Sequence, residues 1–202
     1  MSTKKRKPAP KFQLQFDHAR IPELARQYLA QRYQGGTNAD ADRAMENAGE
    51  RIVSGLQSAT NTELRQQADL IYDWKSPRRK DLFLKNSDQA VADALREAAS
   101  AKSVRKALAA LTELDGVGVK MASAVLTALS PQRYTVLDFR ALEAMGANRN
   151  ADGIRLYVYY LRACRRMARN FGVQLRDLDR ANWQFSKMGI STECCGAIGV
   201  AA

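Results

Sequence analysis

The sequence has 202 residues, 46% of them hydrophobic, and its 32 Lys and Arg residues outnumber 21 Asp and Glu residues to give a net charge of +11. This length allows one domain or two small, closely packed halves, and the excess of positive charge indicates an anionic partner, nucleic acid in preference to a membrane. Because no apolar run approaches the ~20 residues that span a bilayer and the basic N-terminus lacks the apolar core of a signal peptide, we expect a soluble, intracellular protein.

The N-terminal part of the chain is predicted to be a basic arm followed by helices. Residues 1–11 carry five Lys or Arg residues and two prolines, which is typical of a disordered segment, either a DNA-contacting arm or a solvated tail. A single all-α domain is expected over residues 12–188. Its first helix has Pro22 near its start, and we expect Gly35-Gly36 to end it.

Polar side chains mark the starts of the next predicted helices. Thr60 and Glu63 have the spacing of a capping box, in which each side chain bonds the backbone amide of the other residue. Ser87 and Ser103 precede further apolar helical patterns and are expected as N-caps.

The segment 71–80 interleaves aromatic and basic residues around a proline. Trp74 has two possible roles, stacking on a nucleobase or anchoring the end of its helix against the core. Arg78 and Arg79 are candidate phosphate contacts, which gives this segment the composition of a nucleic-acid contact.

The most informative segment runs from Leu114 to Ala122 and reads Leu-Asp-Gly-Val-Gly-Val-Lys-Met-Ala. Two glycines one residue apart between helical patterns predict a hairpin, because glycine adopts a positive φ and lets a partner approach the backbone. The amides of Gly118, Val119 and Lys120 then open the second helix, where unpaired N–H groups and the helix dipole attract a phosphate.

Asp138 follows Lys120 by 18 positions. A helix from about Val119 to Leu129 rises roughly 15 Å at 1.5 Å per residue, and residues 130–137 can extend about 26 Å. The chain can therefore return along this helix and bring Asp138 to its start, near Lys120. Asp138 is also a good N-cap, and Gly146 is a good stop for the helix that Asp138 opens.

The C-terminal part is also predicted to be helical. Residues 154–171 form an amphipathic pattern with an apolar stripe on one face. A last helix is expected to open at Asp177, and residues 189–202 are expected to have little regular structure. Since no sustained period-two pattern occurs, the fold class is all-α, with the hairpin at about 103–129 and the Asp138 helix at about 138–146.

Residues 114–122, together with Asp138, resemble the signature of the helix-hairpin-helix DNA glycosylases of base excision repair, Leu-x-Gly-Val-Gly-x-Lys-x-Ala with an Asp about eighteen residues later. The similarity covers about residues 103–146. It implies a compact all-α glycosylase-like fold in which Lys120 is the nucleophile and Asp138 the essential carboxylate. Members with this lysine usually cleave the strand after removing the base, so the resemblance implies a bifunctional glycosylase and abasic-site lyase.

The resemblance also implies the partner and its contacts. The partner is double-stranded DNA with a damaged base, bound by a monomer, and Gly116, Gly118, Val119 and Arg140 are expected to contact the DNA backbone. Arg140 is a departure, since the family often has His at that position. The lysine and the lack of an iron–sulfur cluster are similar to the branch that acts on oxidised purines.

No metal or cofactor is expected, and the one ion considered is a monovalent cation at the hairpin carbonyls. Cys164, Cys194 and Cys195 cannot supply the four thiolates of an iron–sulfur cluster. Cys164 lies on the apolar face of a predicted helix and is expected in the core.

The implied chemistry needs both a carboxylate and an amine. As a base departs, positive charge develops on the sugar, and a nearby carboxylate stabilises it. An amine that attacks C1′ forms a Schiff base and permits elimination of the 3′ phosphate, on a nucleotide flipped out of the duplex. Two alternatives remain: a noncatalytic DNA-binding module, in which Lys120 contacts phosphate and Asp138 only caps a helix, and an RNA-binding protein.

Overall fold

A computed structural model describes residues 9–189 of the chain. The predictions for residues 1–8 of the basic arm and for residues 190–202 of the C-terminal tail, including Cys194 and Cys195, lie outside the described residues. Within the described part, no helix combines the length and apolar character needed to cross a membrane.

The described chain is all-α, as predicted, and its elements follow one another with short connections. The helices are α1 Ile21–Leu29, α2 Asn38–Gly55, α3 Asn61–Lys75, α4 Lys80–Phe83, α5 Asp88–Ser100, α6 Val104–Thr112, α7 Val119–Leu129, α8 Phe139–Ala144, α9 Ile154–Phe171 and α10 Leu175–Lys187. Single 3₁₀ turns cover His18–Arg20 and Pro77–Arg79. Two short strands, β1 Arg32–Tyr33 and β2 Gly36–Thr37, pair antiparallel with Arg32 opposite Thr37.

The predicted helix caps are confirmed. Thr60 and Glu63 form both halves of a capping box at the start of α3, with the Thr60 amide 2.8 Å from Glu63 Oε2. Ser87 caps α5 and Ser103 caps α6. Each cap satisfies an amide that the first turn of a helix otherwise leaves unpaired.

Two predicted boundaries are wrong. α1 ends at Leu29, and Gly35-Gly36 instead form the turn between β1 and β2, which delivers the chain to the capping box that opens α2. α10 begins at Leu175, two residues before Asp177. The carboxylate of Asp177 accepts a hydrogen bond from Arg180 in the next turn, so it is engaged within the helix and does not cap it.

The core is organised around α7, nine of whose residues are buried. At Gly49, α2 packs directly on α7, since a Cβ at this position would overlap the backbone carbonyl of Ala128. α9 contributes the predicted apolar stripe, including Tyr157, Tyr160 and the buried Cys164. The face formed by α1, α8 and α10 closes the other side of the core.

Candidate functional site

The predicted hairpin is present as α6, the turn 113–118 and α7. Gly116 has a φ of +77°, and a Cβ there would lie 2.9 Å from both Leu82 Cβ and Phe83 N. Only glycine fits such a site without strain or displacement of its neighbours. The turn is therefore fixed against α4 as well as by its own two helices.

Side chains from outside the hairpin hold the turn in place. The hydroxyl of Tyr72, in α3, donates to the carbonyl of Gly116 at 2.8 Å. The side chain of Asn86 bonds the backbone of Asp115 twice, with its amide nitrogen 3.0 Å from the carbonyl and its oxygen 2.8 Å from the N–H group. These bonds leave the outer side of the turn, at Gly118, accessible.

Gly118 is the N-cap of α7, and it is exposed. A Cβ at this position would meet no atom within 4 Å. The first turn of α7, which includes Val119 and the partly buried Lys120, thus faces open space at a helix N-terminus. This geometry suits the approach of an anionic group.

The predicted return of the chain along α7 is confirmed by a set of buried hydrogen bonds. The hydroxyl of Ser123 donates to the carbonyl of Lys120 at 2.7 Å and accepts from the amide of Leu137 at 2.8 Å. From the other side, Tyr157 donates to the carbonyl of Thr135 at 3.0 Å. The returning segment therefore brings the residue before Asp138 alongside the second turn of α7.

Asp138 has two partners. Its Oδ1 atom accepts the amide of Ala141 at 2.8 Å and so caps α8, as predicted. Its Oδ2 atom lies 3.2 Å from Nζ of Lys75, the last residue of α3, and each of these two side chains is only 16% exposed. The sequence had suggested Lys120 as the lysine of this site, whereas the structure brings Lys75 to the carboxylate.

Asp138 and Lys75 line a cavity of about 240 Å³. Its aromatic walls are Tyr28, Tyr33, Trp74 and Trp183. Within the described chain, the residues lining this cavity do not include Lys120. Beside these aromatic walls, most of the lining residues are polar, and seven of the lining side chains are charged. The cavity therefore suits a ligand that combines a ring with polar or charged groups.

The aromatic walls are held in fixed positions. The indole N–H of Trp74 and the hydroxyl of Tyr28 both donate to Oδ1 of Asp42, at 3.2 and 3.1 Å. Tyr28 also meets Trp183 edge to face, with ring centroids 5.2 Å apart. Trp74 therefore anchors the end of α3 and at the same time presents its ring to the cavity.

A buried charge network forms the floor of the cavity. Asp42, only 1% exposed, pairs with Arg176 at 2.7 Å and with Arg180 at 2.9 Å. Asp179 pairs with Arg176 from the next turn of α10. Burial raises the pKa of Asp179 to about 6, even though the Arg176 guanidinium opposes that shift. Ionisation at the floor of the cavity therefore responds to mildly acidic pH.

The remaining predicted site residues lie around this cavity and the hairpin. Arg78 and Arg79 are exposed in the 3₁₀ turn directly after Pro77, which lines the cavity. The guanidinium of Arg140 lies 5.1 Å from the ring centroid of Trp183. Arg140 therefore contacts a wall of the cavity, and its contact with the DNA backbone stays a prediction.

Several cavity residues were missed by the sequence analysis. Lys75 sits inside the singled-out 71–80 segment, but its partner lies 63 positions away. On α10, Arg176, Asp179, Trp183 and Lys187 recur at intervals of three or four residues and so share one helix face. That spacing was a usable signal, because a polar and aromatic stripe on an amphipathic helix can line a site.

No group of three or more His, Cys, Asp or Glu side chains within residues 9–189 is arranged to hold a metal ion. Comparisons of the chain with models of known families, with curated proteins and with solved structures gave no match. The residues of the site and the motif at residues 114–122 are therefore the features that bear on function.

Proposed function

We propose that this protein is a DNA glycosylase, which receives a flipped nucleotide and breaks the bond between its damaged base and the sugar. The observation that carries the proposal is the position of Asp138, which opens α8 and lines an aromatic cavity. The similarity of residues 114–122 to glycosylase hairpins supports the same function, and so does the net charge of +11.

Each part of the site has a role in this reaction. The open N-terminus of α7 at Gly118 binds a backbone phosphate, and the exposed Arg78 and Arg79 add phosphate contacts. A flipped base stacks on Trp74 or Trp183. The carboxylate of Asp138 then stabilises the positive charge that develops on the sugar as the base leaves.

Strand cleavage is part of the proposal as well. It requires an amine that attacks C1′ and forms a Schiff base. The motif similarity supports Lys120 for this role, and the same similarity supports oxidised purines as the substrate class.

Base release from a panel of duplexes tests the proposal. The duplexes of the panel contain 8-oxoguanine, uracil, an alkylated purine or an oxidised pyrimidine. Each duplex is incubated with the wild type and with Asp138→Asn. Asparagine keeps an oxygen that can cap α8 but loses the charge, so we expect base release to be lost while DNA binding is retained. Asp93→Asn, at an exposed carboxylate paired with Arg96, is the matched control. Release by Asp138→Asn at the wild-type rate would remove Asp138 from the mechanism.

A noncatalytic DNA-binding module is the second candidate. It is favoured by the fact that Asp138 already has two structural partners, the amide of Ala141 and the ammonium group of Lys75. In that case no lesion in the panel is processed, and Lys120→Ala only weakens duplex binding by a salt-dependent amount. Competition between DNA and RNA at fixed salt separates this candidate from an RNA-binding protein.

A further inference from the structure

The positive charge of this protein is concentrated in two segments. Residues 1–11 contain five Lys or Arg residues, α9 contains five arginines, and neither segment contains an acidic residue. Together the two segments carry ten of the eleven excess positive charges. The rest of the chain, which includes the hairpin and the cavity, is therefore close to neutral, and α9 is the most positively charged helix of the described residues.

Four of the α9 arginines form one stripe, which we call the arginine stripe. They are three or four positions apart and so share a face of the helix: Arg162, Arg165, Arg166 and Arg169. All but Arg165 are exposed. Among residues 9–189, no carboxylate forms an ion pair with any of the four. The charges of the stripe are thus not neutralised within the described protein.

The charges at the stripe also repel one another. Arg165 donates to the carbonyl of Arg133 at 2.7 Å, and both guanidinium groups lie against the ring of Tyr134, at 5.6 and 5.5 Å from its centroid. Burial lowers the pKa of Arg165, and the charges of Arg133 and Arg169 act in the same direction. An anion bound at the stripe relieves this repulsion, because it favours the charged form of each arginine.

The arginine stripe lies away from the hairpin. α7 begins at the hairpin, and its eleven residues extend roughly 16 Å. Arg133, which Arg165 contacts, follows the far end of α7 by four residues. After α9, Gln174 and Leu175 line a cavity together with Leu129, at that same end of α7. The stripe and the hairpin can therefore face two different segments of DNA.

We propose that the arginine stripe is a second DNA-binding surface, which holds the phosphate backbone of a duplex segment other than the one bound at the hairpin. The inference takes DNA as the partner from the proposed function and adds a second contact. The guanidinium group suits this role, because it pairs with phosphate through two parallel hydrogen bonds. One protein molecule then bridges two duplex segments, and release at one surface leaves it held at the other.

The composition of the stripe favours a phosphate backbone over a protein partner. Protein interfaces have an apolar core inside a polar rim, whereas the large apolar side chains exposed in the described chain lie outside α9. They are Val53, Leu70, Leu84, Phe139 and Met188. The apolar face of α9 is buried in the core, so it cannot insert into a membrane surface as the apolar face of an interfacial helix does.

The number of short duplexes bound by one protein molecule tests the inference. Light scattering gives the mass of the complex, and energy transfer between donor-labelled and acceptor-labelled duplexes reports bridging. We expect two duplexes on the wild type. Arg162→Gln combined with Arg166→Gln should bind the second duplex at least about tenfold more weakly and lose the energy transfer. A wild-type complex that contains a single duplex would overturn the inference.

A matched pair of substitutions controls for the loss of charge. Arg43→Gln combined with Arg51→Gln also removes two exposed arginines from one helix, α2, and should bind two duplexes as the wild type does. Urea denaturation should show the stripe variant to be as stable as the wild type, since its substitutions break no ion pair. Equal weakening by the two pairs of substitutions would assign the effect to net charge and refute the second surface.

Anionic vesicles test the other polyanion that an arginine stripe can bind. We expect phosphatidylserine vesicles to bind the wild type and the stripe variant alike. Vesicle binding that is lost in the stripe variant, together with unchanged binding of the second duplex, would assign the stripe to a membrane and overturn the inference.

Base release from the lesion panel keeps this inference separable from the proposed function. A wild type that releases a base but binds one duplex refutes the second surface and leaves the glycosylase proposal intact. Two bound duplexes, the second sensitive to the stripe substitutions, without release of any base support the stripe and count against the glycosylase. If the wild type binds no DNA, both proposals fail.

Discussion

The amide of Leu137 donates to the hydroxyl of Ser123 across 2.8 Å, and both residues are completely buried. Ser123 lies one turn after Lys120 in α7, whereas Leu137 immediately precedes Asp138. This one hydrogen bond therefore sets the position of the carboxylate relative to the helix that follows the hairpin. It also makes Ser123 a positioning residue for the cavity, although Ser123 does not line the cavity itself.

Ser123→Ala is expected to lower the free energy of unfolding by about 1–3 kcal/mol, because it leaves the buried Leu137 amide without a partner. Urea denaturation measures this loss. Ser100→Ala, which removes an exposed hydroxyl bonded only to its own helix, serves as the control and should cost less than about 0.5 kcal/mol. Equal stabilities of the two variants would contradict the role given to Ser123.

The two hairpin glycines should respond differently to alanine. Gly116→Ala must accept a positive φ and contacts of 2.9 Å with Leu82 and Phe83, so we expect a loss of about 2 kcal/mol or more in unfolding free energy. Gly118→Ala meets no atom within 4 Å and should fold normally. Its methyl group, however, occupies the space above the first turn of α7, and duplex binding should weaken about tenfold, or ~1.4 kcal/mol.

Thermal unfolding and a duplex-binding titration together test this contrast. Normal duplex affinity in Gly118→Ala would mean that no phosphate approaches the turn at that point. Full stability in Gly116→Ala would be incompatible with the packing of the turn against α4.

Asp42→Ala is expected to be among the most destabilising single substitutions in the described chain. It removes one of the carboxylates paired with Arg176, which is 6% exposed, and it removes the acceptor of Trp74 and Tyr28. Breaking a buried ion pair in this way costs about 3–5 kcal/mol. Asp93→Ala, at the exposed pair with Arg96, should cost less than about 1 kcal/mol, and urea denaturation of both variants checks the difference.

Asp179 is expected to give a pH dependence to stability. Burial raises its pKa to about 6, Asp138 and Asp42 act in the same direction, and Arg176 and Lys75 oppose them. The folded state therefore holds this proton to a higher pH than the unfolded chain. The resulting stabilisation is complete below about pH 4 and is lost as the pH rises through about 6.

Asp179→Asn cannot ionise and isolates this contribution. The free energy of unfolding of the wild type, minus that of Asp179→Asn, should fall between about pH 4 and pH 7 and stay constant above that range. Urea denaturation at several pH values measures the difference. A difference that rises with pH would show that Arg176 outweighs burial and holds the pKa of Asp179 below its ordinary value.

The parts of the fold that the sequence predicted are those encoded locally. The capping box of Thr60 and Glu63 and the amphipathic stripe of residues 154–171 depend on residues three or four positions apart, and both are present. The lengths of α7 and of residues 130–137 allowed the return of the chain to α7 but did not require it. By contrast, β1 and β2 have two residues each, too few to show an alternating pattern.

The sequence predicted some residues of the site but not the long-range pairs between them. Asp138 was identified by its spacing from the hairpin, and Trp74 by its basic neighbours. The pairing of Asp138 with Lys75 spans 63 positions, and that of Arg180 with Asp42 spans 138. Such pairs are decided by how α3, α2 and α10 pack against the core, which no local pattern specifies.

The direct contact of α2 with α7 at Gly49 fixes the distance between the cavity and the hairpin. α2 carries Asp42 beneath the cavity, and α7 starts at the hairpin, so two backbones in contact prevent either region from sliding toward the other. If the hairpin binds a backbone phosphate, this fixed spacing favours a kink in the duplex over a movement of the protein as the way to bring a nucleotide to the cavity. Under the proposed glycosylase function, duplexes that bend easily at the lesion should then be processed fastest, because less energy is needed to kink them.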